Sequence, residues 1–249
     1  MKSLLYILLF LLVGHLSAQS NIVFEQANKL YNEGKYAEAL DKYNVILDGN
    51  THSAELYFNI ANAHYKLNHI APSIYYYEKA AKLAPNDSDI KNNIAFANNM
   101  KIDAIETLPE IGIKKFMNKI TTSFTFDGWA KLSVILVFGF VVLFLLYYFT
   151  YTTTTKRLYF VSSLASIFLA CIALAFTFHN YNLAQKDKAA IVFAQESQVK
   201  SEPNNRSGEV FTLHEGTKVQ ILDTVSDWKK IKIADGKTGW IAQKDIKEL

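Results

Sequence analysis

Three long apolar runs interrupt the otherwise mixed pattern of this chain, and the first opens it. Lys2 is followed by an apolar stretch from Leu4 to Val13 and then by small residues ending at Ser17 and Ala18. This order is typical of a secretory signal peptide, and its apolar core is short for a bilayer span. We predict a signal peptide at residues 1–18, with an uncleaved anchor as the alternative; either outcome exports the segment that follows.

Two further apolar runs, at residues 132–151 and 158–178, contain no charged side chain. As a helix, each run is about 30 Å long, which matches one bilayer core. We predict two transmembrane helices joined by a cytoplasmic loop at residues 152–157; the alternative is a hairpin buried in a soluble protein. With the signal peptide, this hairpin predicts a bacterial inner-membrane protein whose segments before and after the hairpin both lie in the periplasm.

Residues 19–100 match themselves at an offset of 34 positions, a period typical of stacked helical repeats. The aligned pairs are Phe24 with Phe58, Ala27 with Ala61, Asn28 with Asn62, Tyr31 with Tyr65 and Tyr43 with Tyr77, and Ala95 continues the series. Small residues at the alanine position are expected to let neighbouring helices approach. In the second copy we predict helices at 54–66, capped by Ser53, and at 71–83, and a closing helix follows at 88–100.

The repeated positions resemble the tetratricopeptide repeat. The matching residues are Gly34, Tyr36, Ala39 and Tyr43 in the first copy and Tyr57, Ala61, Tyr65, Tyr77, Ala80 and Pro85 in the second. Val23 and Asn68 depart from the pattern, the latter standing where the turn glycine is expected. The resemblance implies an α-solenoid whose first helices line a concave surface that binds extended peptides or helices.

By that resemblance, the partner-binding groove comprises Phe24, Glu25, Asn28, Tyr31, Phe58, Asn59, Asn62, Tyr65, Lys66, Asn92 and Asn93. Asn28 and Asn62 are the principal candidates, because a side-chain amide offers a partner's backbone both a donor and an acceptor. The alternative is that both are ordinary residues of a solvated helix face. Two and a half repeats form a small groove, so we expect modest affinity for a short peptide.

Residues 101–131 form a juxtamembrane segment that contains a short amphipathic pattern. Four of its apolar residues fall on one side of a helical wheel: Ile113, Phe116, Met117 and Ile120. A helix lying on the outer face of the bilayer would explain this pattern. A packed continuation of the repeats would explain it equally well.

After a linker at residues 179–188, the pattern changes to short alternating strands separated by turn residues. The predicted strands lie at 190–193, 209–213, 217–222, 228–233 and 239–242. Glu215-Gly216-Thr217, Asp227-Trp228 and the run from Asp235 to Ile241 resemble the bacterial SH3-like domain. The resemblance implies a small β barrel over residues 189–249 that targets cell-wall peptide or glycan. We expect Trp240 to belong to the core, whereas Trp228 is a candidate wall-ligand contact with a core position as the alternative.

Composition excludes several classes of function. The net charge of +3 is not gathered into a basic stripe with interleaved aromatics, so nucleic acid is not an expected partner. The single cysteine, Cys171, lies inside an apolar run, and the six histidines show no metal-ligand spacing. The sequence lacks a glycine-rich phosphate loop and a nucleophile elbow. We therefore expect no enzyme activity, no metal and no cofactor.

The order of signal peptide, helical repeats, two spans and barrel resembles the BatE-type proteins of aerotolerance operons. The fold class is thus multidomain: a tetratricopeptide α-solenoid, a transmembrane helical hairpin and a small SH3-like β barrel. The resemblance implies membrane-anchored von Willebrand A-domain partners and, indirectly, a cytoplasmic MoxR-type ATPase. Two functions follow as expectations: a scaffold that binds partners through the repeats, in an aerotolerance or envelope-stress complex, and a cell-wall sensor that binds peptidoglycan through the barrel.

Overall fold

The computed structural model describes residues 21–106, 112–186 and 188–249. The predicted signal peptide at 1–18 lies outside these residues. The described residues divide into two compact units, one formed by residues 21–106 together with 189–249, and the other by residues 112–186 and 188. Helical repeats, two long apolar helices and a C-terminal antiparallel sheet are all present, as the sequence predicts.

Five helices form the repeat region. They are α1 (21–32), α2 (Tyr36–Asp48), α3 (Ala54–Lys66), α4 (Ile70–Leu83) and α5 (Ser88–Asn98). The Ser53 hydroxyl caps α3 by accepting a hydrogen bond from the Leu56 backbone N–H at 3.1 Å, as an N-cap residue does. The predicted bounds of α3 match the structure, and α4 begins one residue earlier than predicted.

The turns inside the two repeats use the same backbone conformation at equivalent positions. Gly34 has φ +79° and Asn68, 34 residues later, has φ +59°. Asparagine is one of the few residues besides glycine that enter the left-handed region readily. The departure from glycine at Asn68 therefore preserves the turn.

Small and aromatic residues fill the space between the repeat helices. Ala27 and Ala61 are fully buried, and the Tyr43 and Tyr77 side chains are almost completely buried beside them. Ala95 was expected to serve the same purpose in the third copy, and this prediction is wrong, because Ala95 is exposed. Helix α5 is the last helix of the stack, and the alanine that it buries against the neighbouring helix is Ala97.

The C-terminal part is an antiparallel sheet of seven strands. They are β1 (Ala189–Val192), β2 (Glu196–Lys200), β3 (Glu209–His214), β4 (Lys218–Val225), β5 (Trp228–Lys232), β6 (Thr238–Ala242) and β7 (Ile246–Glu248). Their order across the sheet is β3-β2-β6-β5-β4-β1-β7. The sequence pattern missed β2 and β7. Gly239 lets β2 and β6 approach closely, since a Cβ atom there would lie 2.5 Å from Val199 Cγ1.

The second unit contains α6 (Gly112–Thr121), α7 (Phe126–Phe149) and α8 (Thr153–Lys186). Helices α7 and α8 are long and apolar enough to cross a membrane. Helix α7 extends beyond its predicted run only at the start, since residues 126–131 are helical and 150–151 are not. Helix α8 extends beyond its run at both ends, because residues 153–157 of the predicted loop and 179–186 of the predicted linker belong to it. Helix α6 groups with the apolar helices, so the interpretation as a packed continuation of the repeats is wrong.

Small residues form the seam between α7 and α8. The α8 residues Ser163, Ser166, Ala170 and Ala173 are buried at alternating spacings of three and four. The Ser166 hydroxyl donates a hydrogen bond to the Leu136 carbonyl oxygen at 2.7 Å across the seam. Small residues and interhelical hydrogen bonds are the usual means of packing helices where lipid removes the hydrophobic driving force.

Candidate functional site

The first helices of the two repeats carry matching stripes of side chains at the predicted groove positions. Spacings of four and three residues put each stripe on one helix face. The stripe residues are half-buried, and they are Phe24, Asn28 and Tyr31 on α1 and Phe58, Asn62 and Tyr65 on α3. The structure therefore anchors each of these side chains while leaving part of it accessible.

Buried tyrosines of the second helices support the stripes from below. The Phe24 ring lies 5.9 Å from the Tyr43 ring, and Phe58 lies 5.8 Å from Tyr77, measured between centroids. Burial is the main cause that raises the pKa of Tyr43 to about 12, and burial likewise raises the pKa of Tyr77. Both phenols therefore stay protonated over the physiological range and act as hydrogen-bond donors.

These phenols hold the two candidate asparagines. Tyr43 donates to Asn28 Oδ1 at 2.7 Å, and Tyr77 donates to Asn62 Oδ1 at 2.5 Å. Asn28 Oδ1 also accepts from Asn59 Nδ2 at 3.1 Å. The prediction that Asn28 offers a partner both a donor and an acceptor is therefore corrected, because its oxygen already has two donors. Within the described residues, neither Nδ2 makes a hydrogen bond, so each amide retains a donor for a partner.

A small hollow lies in the first stripe. It has a volume of about 230 Å³ and is lined by Asn28, Tyr31, Asn32, Tyr43 and Asn59. Three of these residues were predicted groove residues. A hollow of this size has room for one amino-acid side chain.

The other predicted groove residues have varied environments. Glu25, Lys66 and Asn92 are exposed, whereas Asn93 is half-buried. Asn93 Nδ2 donates to the Asp89 carbonyl oxygen at 2.8 Å, one turn earlier in α5. Its amide donor is thus engaged within its own helix.

Phe96 is the third-copy equivalent of Asn28 and Asn62, and the sequence reasoning did not single it out. It lies 34 residues after Asn62 and four residues after Asn92, so it occupies the position of Asn28 and Asn62 in the third copy. Its side chain is 60% exposed. The offset that aligned the two asparagines also identifies Phe96. The equivalence was overlooked because phenylalanine differs chemically from asparagine. The third position of this series is therefore apolar.

The outer face of the barrel carries both of its tryptophans. Trp240 was predicted to be a core residue and is not, because its neighbours Gly239 and Ile241 are the buried residues of β6. Strand alternation puts Trp240 on the other face, where Lys230 Nζ lies 5.9 Å from its ring centroid. Trp228, two residues before Lys230 on β5, is half-buried on the same face.

The barrel packs on the repeats through an apolar contact. Ile191 of β1 is fully buried in the same cluster as Ile74 of α4 and Ala97 of α5. The Phe193 ring contacts the Tyr75 ring edge-on at a centroid distance of 5.6 Å. The barrel thus covers the end of the helical stack that lacks a further helix, as capping elements do in solenoids.

Asp103, just after α5, fixes the β3–β4 turn of the barrel. Its carboxylate accepts hydrogen bonds from the His214 backbone N–H, from His214 Nδ1 and from Thr217 Oγ1, each at 2.7 Å. Burial would raise the pKa of Asp103, but these hydrogen bonds outweigh it and lower the pKa below the usual value. Nearby, Gly216 (φ +85°) lies so close to Ile70 and Ile74 that a Cβ atom would be 2.9 Å from each.

Comparisons with known proteins agree with this architecture. The tetratricopeptide repeat family matches residues 54–87, which are α3, α4 and the turn after them. The bacterial SH3 domain family matches residues 197–247, from β2 into β7. No curated protein matches the chain. Repeats of the first kind suggest protein partners, and a bacterial SH3 domain suggests protein or cell-wall binding.

Proposed function

We propose that this chain is a non-catalytic, membrane-anchored adaptor whose repeat groove holds a segment of a partner protein. The observation that carries the proposal is the pair of matching stripes on α1 and α3. In each stripe a tyrosine holds the asparagine oxygen, and the amide nitrogen retains its donor. An extended backbone presents carbonyl oxygens that can accept from such donors.

The groove chemistry favours a nearly uncharged extended segment. Among the eleven predicted groove residues, Glu25 is the only acid and Lys66 the only base. Phe96 adds an exposed apolar surface at the third position. We therefore propose recognition through backbone hydrogen bonds and apolar side chains, and not through a charged chain terminus.

The adaptor is proposed to span the bacterial inner membrane twice, through α7 and α8. Repeats and barrel flank these helices in the chain and share the apolar cluster around Ile191. Two domains that share a core lie on one side of a membrane, which supports an even number of spans. The signal-peptide pattern at residues 1–18 favours the periplasm as that side.

We further propose that the partners are von Willebrand A-domain membrane proteins, with a MoxR-type ATPase reached indirectly, in an aerotolerance or envelope-stress complex. The order of the elements supports this proposal: repeats first, then two apolar helices, then a bacterial SH3 domain.

A pull-down from crosslinked cells tests the adaptor. The variant Asn28→Asp with Asn62→Asp keeps an oxygen for each tyrosine and removes the amide donor. Its matched control, Asn44→Asp with Asn86→Asp, makes the same chemical change at exposed positions outside the predicted groove. We expect the groove variant to lose its partners and the control to retain them. Equal recovery of the same proteins by both variants would contradict the groove assignment.

A second candidate function is binding of peptidoglycan by the outer face of the barrel. Trp228 and Trp240 supply apolar rings there, and Lys200 and Lys230 both pair with Trp240 across the sheet. Aromatic rings can pack against sugar faces, and ammonium groups can bind the carboxylates of wall peptides.

The test of wall binding uses the full chain, because Ile191 would lose its cover in an isolated barrel. We expect the wild-type protein, reconstituted in detergent, to sediment with purified peptidoglycan and a variant with Trp228→Ala and Trp240→Ala to remain in solution. A variant with alanine at Val45 and Leu83, which are exposed on the repeat helices and lie outside the barrel, is the control. If all three proteins sediment equally, or if none sediments, wall binding by this face of the barrel is excluded.

A further inference from the structure

Helix α6 presents an apolar face that remains exposed among the residues that the structure describes. Ile113 is 82% exposed, Phe116 62% and Met117 40%. These residues and Ile120 recur at spacings of three and four, which places them on one side of the helix. So much exposed apolar surface on a ten-residue helix indicates a partner that is itself apolar.

The rest of the helix surface carries basic side chains. Lys115 and Lys119 are exposed. By helical geometry, Lys115 lies roughly opposite the centre of the apolar face, and Lys119 lies beside Phe116. Helices with one apolar face and lysines around the other are typical of the boundary between lipid head groups and acyl chains.

Two hydrogen bonds fix the end of α6 to the apolar helices. The Thr121 carbonyl oxygen accepts from Trp129 Nε1 at 2.9 Å and from Asn180 Nδ2 at 2.6 Å. Trp129 is near the start of α7, and Asn180 is near the end of α8. The C-terminal end of α6 is therefore attached to the end of the hairpin at which these two termini lie.

Aromatic rings surround that end of the hairpin. Phe124 contacts Trp129 at 5.2 Å, and Phe126 contacts Tyr181 at 5.9 Å, both edge-on and measured between centroids. Tryptophan and tyrosine gather at the two interfaces of a bilayer. The point from which α6 extends is therefore at the depth of the lipid head groups, if the hairpin spans the membrane.

We propose that α6 lies in the surface of the bilayer, with its apolar face among the acyl chains and its lysines on the phosphates of anionic lipids. This inference rests on the proposed membrane-spanning hairpin. We assign lipid and not a second protein as the occupant, because Thr121 at the end of α6 is hydrogen-bonded to Trp129 and Asn180 of two helices that are long and apolar enough to cross a membrane. The lysines of α6 suit this location, because bacterial membranes contain anionic phospholipids whose phosphates attract ammonium groups.

Spin labels on the full chain test the proposal in vesicles of phosphatidylcholine and phosphatidylglycerol. In a Cys171→Ala background, single cysteines at Phe116, Lys115 and Leu145 carry the label. Collision with oxygen reports immersion in lipid, and collision with a water-soluble nickel complex reports exposure to water. Leu145 lies within the apolar run of α7 and serves as the reference for spanning.

We expect labels at positions 116 and 145 to collide mainly with oxygen and the label at position 115 mainly with nickel. If position 145 is immersed while 116 and 115 both face water, the α6 proposal fails and the spanning hairpin stands. Shielding of position 116 from both reagents would mean that protein covers it, and would also overturn the proposal. Position 145 in water would overturn both proposals.

The lipid charge is tested in the same system. Replacing phosphatidylglycerol by phosphatidylcholine should lower the oxygen-to-nickel ratio at position 116 towards that at position 115. A variant with Lys115→Gln and Lys119→Gln should give the same ratio in both vesicles. If the oxygen-to-nickel ratio at position 116 of the parent protein is the same in both vesicles, the assignment of the lysines to lipid phosphates is contradicted.

Discussion

Replacing Asp103 with alanine tests whether the barrel and the repeats are held as one body. The Asp103 side chain is only 11% exposed, and its carboxylate accepts from two groups of His214 and from Thr217. The residue belongs neither to a repeat helix nor to a barrel strand. Its loss therefore acts on the contact between the two parts and leaves the core of each part unchanged.

The expected cost follows from the donors that lose their acceptor. A buried donor left without a partner costs about 1 to 3 kcal/mol. Water can reach the partly exposed His214 ring, so its share is small, and the His214 backbone N–H and Thr217 hydroxyl carry most of the loss. We expect the contact between barrel and repeats to weaken by about 2 to 4 kcal/mol.

Hydrogen exchange of the full chain in lipid nanodiscs measures this loss by segment. In Asp103→Ala, amides of α5 and of strands β1 and β3 should exchange faster together, because barrel and repeats cap each other. Asp235→Ala is the matched control, since Asp235 accepts from the Lys237 backbone N–H at 2.9 Å within its own barrel turn. The control should leave exchange in the repeats unchanged.

Two results would refute the reasoning. If exchange in α5 stays at the wild-type rate while the barrel turn loosens, the barrel does not support the repeats. If both variants affect the repeats equally, the effect of Asp103 is not specific to the contact.

Three further predictions concern single groups. Gly239→Ala should destabilise the barrel by about 1 to 3 kcal/mol, because its new methyl group would overlap Val199, and thermal unfolding followed by barrel tryptophan fluorescence measures the shift. Ser166→Ala should weaken the packing of α7 on α8 by about 0.6 kcal/mol, measured by unfolding in detergent; no change would mean that the bond to Leu136 contributes nothing. Because the pKa of Asp103 is lowered in the folded protein, its stabilisation should be present above the ordinary carboxyl pKa and disappear as the pH falls through the lowered value. Asp103→Asn should flatten that acid dependence, and an unchanged pH profile would contradict the assignment.

The sequence predicted the repeat helices well because periodicity, caps and turn residues agreed. Ser53, the 34-residue offset and Pro85 predicted the observed bounds of α3 and placed the start of α4 within one residue. The offset also identified the two stripes that the structure anchors on buried tyrosines.

Features that depend on long-range packing were not predictable in this way. Trp240 looked like a core residue, since a tryptophan after a turn glycine is usually buried; the register of β6 instead buries Gly239 and Ile241. Strand β2 is polar at four of its five positions, with Val199 as the exception, so its alternation was weak. The contact of Ile191 with α4 joins residues more than 100 positions apart, and no local pattern encodes it.

Site-specific photocrosslinking in living cells tests the central claim most directly. A photoreactive phenylalanine analogue at position 58 lies in the proposed groove, and the same group at position 45 lies on an exposed face of α2. We expect one or a few defined protein adducts from position 58, which are lost in the variant with Asn28→Asp and Asn62→Asp, and none of these adducts from position 45. Adducts that form only from position 45, or that persist in the groove variant, would contradict this expectation.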